Sequence, residues 1–192
     1  LTTERPESRQ GDIENKLVWV NFDGGRRNSS IYSGMVNPFA EDKGLRASII
    51  QSLRARAEAY DLRFVWTQPT GGDYDIEFVG EWADGNAGGA AGIAPAGDCW
   101  DAAGGQTSFT MMAGGSSDGV AEVILQEIAH TWGLDHVDEQ QDLLYPTTAG
   151  ANKTFKDECF TIVADTDLNP GGSRGCSHHS MACGTTAQQN SH

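Results

Sequence analysis

The sequence contains no apolar run that approaches the roughly 20 residues needed to span a bilayer, so we expect no membrane insertion. Positive charge is also scarce, because 13 lysines and arginines stand against 27 acidic residues and give a net charge of −14. Basic patches hold nucleic acids and anionic membranes, so the composition argues against either as a partner. We expect a monomer whose acidity serves solubility, with calcium binding or a cationic substrate as the alternatives.

Cysteine is sparse as well, with four in 192 residues. An even set with three members in the last third favours two disulfides, an oxidising compartment and a secreted protein. The polar stretch 1–15 has no apolar segment, so we expect any signal peptide to have been removed already. The spacing leaves all three pairings open, and a free Cys99 that ligates a metal is an alternative. The four residues are Cys99, Cys159, Cys176 and Cys183.

The apolar spacing predicts a mixed α/β (α+β) domain without internal repeats. A chain of 192 residues buries on the order of 70% of its unfolded surface without cross-links. Gly92, Ile93 and Ala94 interrupt a glycine- and alanine-rich loop and predict a short edge strand. After His136 we expect irregular structure held by disulfides. The predicted elements are strands over 17–22, 62–67, 74–79 and 107–112, a helix from Pro38 to Tyr60, and a helix capped by Ser117 or Asp118.

The segment QEIAHTWGLDH has the spacing of a metal site. Gln126 and His130 lie four positions apart and so project from one face of a helix, with Glu127 beside them. Gly133 can end that helix in the left-handed conformation, which returns His136 to the same point. A catalytic zinc needs three protein ligands and an open position for water. We therefore expect the two histidines to be ligands and Glu127 to take the proton from that water.

Gln126 is the uncertain member of this set. Its amide oxygen can reach a metal from the same helical position, but a neutral oxygen binds zinc more weakly than imidazole does. Three outcomes are open: the amide oxygen ligates, His178 or His179 completes the set, or the site has lost its metal. We expect the first, which makes Gln126, His130 and His136 the ligands of one zinc ion.

The segment resembles the HExxHxxGxxH motif of the metzincin clan of zinc-dependent endopeptidases, with glutamine in place of the first histidine. Matrix-metalloproteinase-like members carry a Leu-Met-Tyr-Pro turn beneath the metal, and at the corresponding offset this chain has Leu143-Leu144-Tyr145-Pro146. Leu144 thus looks like the Met-turn methionine replaced by leucine, a swap that typically costs less than ~1.5 kcal/mol. Met181 is the alternative Met-turn residue.

The resemblance implies a zincin fold: a twisted mixed sheet with a long helix and an active-site helix over 1–133, then a disulfide-stapled part over 134–192, all one domain. It implies a secreted metalloendopeptidase that hydrolyses peptide bonds through a metal-activated water, with Glu127 as general base. In the family an edge strand pairs with the extended substrate, which points to Gly92, Ile93 and Ala94, with Tyr145 as a further substrate-binding residue. The alternative is an inactive relative whose cleft binds a peptide or protein.

A weaker pattern alternates oxygen donors over residues 165–169. It lacks the glycine and the distal glutamate of an EF-hand at their required positions. We expect a solvated turn here, with a calcium site as the alternative.

Overall fold

A computed structural model describes residues 16–39, 42–85, 88–95, 97–99, 104–148, 152–171 and 176–192. Within these residues none of the helices combines the length and the apolar character that crossing a bilayer requires. The elements of the described part are β1 (Lys16–Asn21), β2 (Gly25–Asn28), β3 (Ser33–Val36), α1 (Lys43–Arg56), β4 (Leu62–Val65), β5 (Asp75–Val79), β6 (Gly92–Ile93), β7 (Thr107–Thr110), α2 (Ser117–Thr131), β8 (Cys159–Thr161), α3 (Ser177–Cys183) and β9 (Gln188–Asn190).

A five-stranded sheet organises the fold, in the order β4-β1-β5-β7-β6. The first four strands are parallel, and β6 closes one edge as an antiparallel partner of β7. Strand β1 pairs on both sides, as expected from its nearly continuous apolar run. The predicted mixed α/β architecture is confirmed, and the predicted edge strand at residue 92 lies at the edge of the sheet.

Helix α1 is shorter than the spacing predicted. Asp42 caps it by accepting hydrogen bonds from N–H groups of the first turn. Before the cap, the N–H of Phe39 donates to the carbonyl of Phe22, which holds this segment against the end of β1. The predicted start at Pro38 is therefore wrong, and so is the predicted end at Tyr60.

Helix α2 is buried on nearly all sides, because it packs against α1 and the sheet and also contacts Tyr145 and Lys153 of the C-terminal part. Its cap is Ser116, whose hydroxyl accepts from the N–H of Gly119, so the predicted cap at Ser117 or Asp118 is wrong by one or two positions. A helix held in this way is a rigid support for the side chains near its end. The core around it includes Val18, Val20, Ile49, Leu53, Phe64, Ile124 and Ile128.

The C-terminal part is more regular than expected, since β8 and β9 form an antiparallel pair and α3 precedes β9. Two disulfides staple it, as predicted: Cys99 bonds to Cys176, and Cys159 bonds to Cys183. A free Cys99 that ligates a metal is therefore wrong. The first bridge joins α3's start to the segment that follows β6.

Candidate metal centre

The two motif histidines converge on one point. The Nε2 atoms of His130 and His136 lie 3.1 Å apart. Helix α2 carries His130, and Gly133 then adopts a φ of 91°, a left-handed conformation that suits glycine and turns the chain back. Two nitrogens that bind one tetrahedral zinc at ~2.0–2.1 Å lie roughly 3.3 Å apart, so the observed separation fits a shared zinc.

A backbone contact sets the proton position of His130. Its Nδ1 lies 2.7 Å from the carbonyl oxygen of Leu134. A carbonyl only accepts, so Nδ1 carries the hydrogen, and in the neutral ring Nε2 keeps its lone pair. Metal-ligating histidines are typically held in this way, with the second nitrogen donating to a carbonyl or carboxylate.

Gln126 is held by the turn that follows His136. Its Nε2 donates to the carbonyl oxygen of Tyr145 at 2.9 Å. Because that acceptor engages the nitrogen end of the amide, Oε1 is the atom available to a metal. Gln126 is 8% exposed and lines the same cleft as His130 and His136. Two imidazole nitrogens and one amide oxygen beside an open cleft thus fit the three-ligand requirement of a catalytic zinc, with one weak member.

The candidate general base lies against the edge strand. Glu127 lines the cleft together with Gly92, Ile93 and Ala94. A Cβ on Gly92 would come within 2.3 Å of the Glu127 Oε1 atom, so only a glycine leaves room for this carboxylate. The cleft has a volume of about 470 Å³ and its far wall is formed by residues 146–148 and Thr166.

A second carboxyl group, missed from the sequence, lies behind Glu127. Glu77 on β5 is fully buried and accepts hydrogen bonds from the hydroxyls of Ser108 and Thr110. Burial raises its pKa well above the usual range, the two hydroxyls oppose this, and the charge of Glu127 adds to it. Its position between the apolar residues Ile76 and Phe78 of a strand was the available sign in the sequence.

The turn beneath the ligands is tightly bonded. Leu144 is fully buried, its N–H donates to the Asp142 carboxylate at 2.8 Å, and its carbonyl accepts from Val137. The alternative Met181 is 67% exposed, which does not suit a packing residue under a metal. Tyr145 meets the site through its backbone carbonyl, and it is the next three residues that line the cleft.

His178 and His179 are not brought to the cleft. They cluster with Cys176, whose sulfur is engaged in a disulfide, and the two rings lie 4.2 Å apart. Burial, followed by the neighbouring His179, lowers the pKa of His178 to about 4. The structure thus gives no support to either as the third ligand. Residues 165–169 form a turn in which the N–H of Asp167 donates to the Asp165 carboxylate.

No family model matches the sequence, and no curated protein matches it. Among solved structures, the chain is similar to an archaemetzincin from Methanopyrus kandleri, with 13% identity, a TM-score of 0.46, and coverage of 77% of this chain and 92% of that one. It is also similar to high choriolytic enzyme 1, a hatching-enzyme zinc protease from the medaka fish Oryzias latipes, with 18% identity and a TM-score of 0.34. That match covers 67% of this chain and 48% of the medaka chain. Similarity at this level does not establish a family.

Proposed function

We propose that this chain is a secreted, metzincin-like zinc metalloendopeptidase. The observation that carries the proposal is the convergence of the His130 and His136 Nε2 atoms, 3.1 Å apart, in a cleft that also contains Gln126 and Glu127. His130, His136 and the amide oxygen of Gln126 would hold the zinc ion. When bound, zinc supplies a Lewis acid that lowers the pKa of a water to ~7.

The residues of the chain carry the remaining steps. Glu127 takes a proton from the attacking water and delivers it to the leaving amine. Among the described strands β6 pairs only with β7, and its second edge would offer backbone N–H and C=O groups to an extended peptide bound as an added strand. Residues that line the cleft, among them Ala94 and Thr147, would keep the carbonyl of the bond to be cleaved beside the Glu127 carboxylate. The substrate is therefore a peptide or an unfolded protein segment.

Secretion and a monomeric state belong to the same proposal. Two disulfides support an oxidising compartment, because cytosolic reductants keep most thiols reduced. The net charge of −14 disfavours nucleic acid as a partner.

Cleavage of a fluorogenic peptide library tests the proposal. We expect cleavage by the zinc-loaded protein to disappear in Glu127→Gln and after chelation, and to return when zinc is restored. The Glu127→Gln variant should still take up zinc, because it loses the base and keeps the ligands. Cleavage that survives either treatment would contradict the proposal.

A second candidate function follows from Gln126, since a neutral oxygen donor weakens the site. The chain would then be an inactive relative that binds a peptide in the cleft. Zinc analysis separates the two functions: an uptake well below about one ion per chain in excess zinc, with peptide binding retained, favours the inactive binder.

A further inference from the structure

Lys153 is a buried cation next to the site, outside the motif. Its side chain is 1% exposed, although lysine is almost never buried without partners. Its Nζ atom donates to the carbonyl of Thr147, lies 3.5 Å from the carbonyl oxygen of Tyr145, and lies 3.6 Å from the Glu122 carboxylate. It also lies 5.2 Å from the centre of the Tyr145 ring. One ammonium group thus joins the turn after His136 to helix α2.

Glu122 gives this contact a direct relation to the ligand set. It lies four positions before Gln126 on α2, so the two side chains share a face of the helix. Arg56 of α1 supports the arrangement, because its guanidinium donates to the carbonyl of Lys153 and lies 3.8 Å from Glu122. Lys153 is therefore held from two helices, through its backbone carbonyl by α1 and through its ammonium by α2.

Tyr145 links Lys153 to Gln126. Its carbonyl oxygen accepts a hydrogen bond from the Gln126 amide at 2.9 Å and lies 3.5 Å from the Lys153 ammonium. A carbonyl has two lone pairs, so it can serve both donors. The backbone that Lys153 ties to Glu122 is thus the backbone that engages the nitrogen end of the Gln126 amide.

We propose that Lys153 is a positioning residue that fixes the Tyr145 carbonyl against Gln126, so that the amide presents its oxygen to the metal. The inference rests on the proposed zinc site. Glutamine needs this positioning because only the oxygen end of its amide ligates, whereas either imidazole nitrogen can bind zinc. The contact of Lys153 with the Tyr145 carbonyl thus compensates for the absence of a histidine at position 126.

A double-mutant cycle on zinc affinity tests the inference, with Lys153→Met, Gln126→His and the double variant, measured by competition with a chromogenic chelator. We expect Lys153→Met to weaken zinc binding about tenfold, which is about 1.4 kcal/mol, when Gln126 is present. The same change in the Gln126→His background should cost less than about threefold. The exposed Lys43→Met is the control and should leave zinc affinity unchanged. Equal losses in both backgrounds, or no loss, would overturn the inference.

Two additions keep the test decisive. Lys153→Met leaves Glu122 without one of its two cations, so Glu122→Gln with Lys153→Met removes both charges if the single variant does not fold. Hydrogen exchange of the Gln126 side-chain amide, followed by ¹⁵N NMR in zinc-free protein, does not depend on the metal. It should be slow in the unmodified chain and faster in Lys153→Met. Absence of zinc binding in the unmodified chain would sink the proposed function, and unchanged amide exchange would sink the role of Lys153.

Discussion

The carboxylate of Glu127 lies directly against the backbone of Gly92. A Cβ on this glycine would come within 2.3 Å of Oε1 and 2.4 Å of Cγ. Contact at Cγ means that the whole side chain, and not its flexible tip, must move to admit a methyl group. The edge strand offered to a peptide and the candidate general base are therefore one packed unit.

Gly92→Ala should displace Glu127 and lower kcat/KM for peptide cleavage at least about tenfold, or ~1.4 kcal/mol of transition-state stabilisation. Zinc affinity should change little, because the ligands are other residues, Gln126 and His130 on α2 and His136 after it. Gly114→Ala is a matched control, since no atom lies within 4 Å of a Cβ there. Normal activity in Gly92→Ala would show that Glu127 can act as the general base from another position.

Local patterns predicted much of the fold. The apolar run of β1 and the helical spacing in α2 depend on neighbours in sequence, so both elements were found. The start of α1 was missed because Pro38 and Asp42 both suit a helix start, and a tertiary bond at Phe39 decides between them. The β2–β3 hairpin was missed because its stability comes from distant partners, among them Trp82, which stacks on Tyr32 at 4.1 Å.

The candidate site likewise contains residues that local spacing predicted and residues that only tertiary contacts bring in. Gln126, Glu127 and His130 share one helix, and their spacing was sufficient to group them. Glu77 and Lys153 enter through tertiary contacts with other strands and turns, so the local patterns did not show that they lie near the site. The disulfide pairing likewise depends on which segments meet in space, and four cysteines allow three connectivities.

Gln126→His should raise zinc affinity at least about tenfold, or ~1.4 kcal/mol, because imidazole replaces a neutral oxygen donor. Chelator competition measures it, and Gln126→Ala should lower affinity instead. Both effects require residue 126 to touch the metal. Equal affinities among the three proteins would mean that Gln126 is an ordinary polar residue of the cleft.

The Cys99–Cys176 disulfide should matter to the metal centre more than its partner bridge does. Its Cys176 sulfur would lie 2.6 Å from a Cβ on Gly133, so the bridge packs against the turn that returns His136. Replacing both cysteines by alanine should lower zinc affinity as well as stability. In the chain-entropy account, loops of 77 and 24 residues give about 4.5 and about 3.4 kcal/mol, so both bridges should affect stability.

The control for that experiment is the double alanine variant at Cys159 and Cys183, which tie β8 to the end of α3. It should reduce the unfolding temperature while zinc affinity stays near that of the unmodified chain. Equal losses of zinc affinity in the two variants would show that zinc binding follows the overall stability of the chain. The Cys99–Cys176 bridge would then have no specific role in supporting the turn at Gly133.

Glu77 should make stability depend on pH in a defined direction. Burial raises its pKa, so above pH ~4.5 the folded chain keeps a proton that the unfolded chain releases. The free energy of unfolding should therefore fall as pH rises from ~4.5 through the raised pKa. Glu77→Gln removes this dependence, because an amide carries no titrating proton and can still bond to the hydroxyls of Ser108 and Thr110.

Urea unfolding at several pH values compares the two proteins. Below pH ~4.5 we expect a constant difference in the free energy of unfolding, because the carboxyl is then protonated in both states. Toward neutral pH the Glu77→Gln variant should gain stability relative to the unmodified chain. Glu158→Gln, at an exposed position, should run parallel to the unmodified chain throughout. Parallel curves for Glu77→Gln would mean that Glu77 is ionised in the folded protein, and the buried pair with Glu127 would then need a compensating cation.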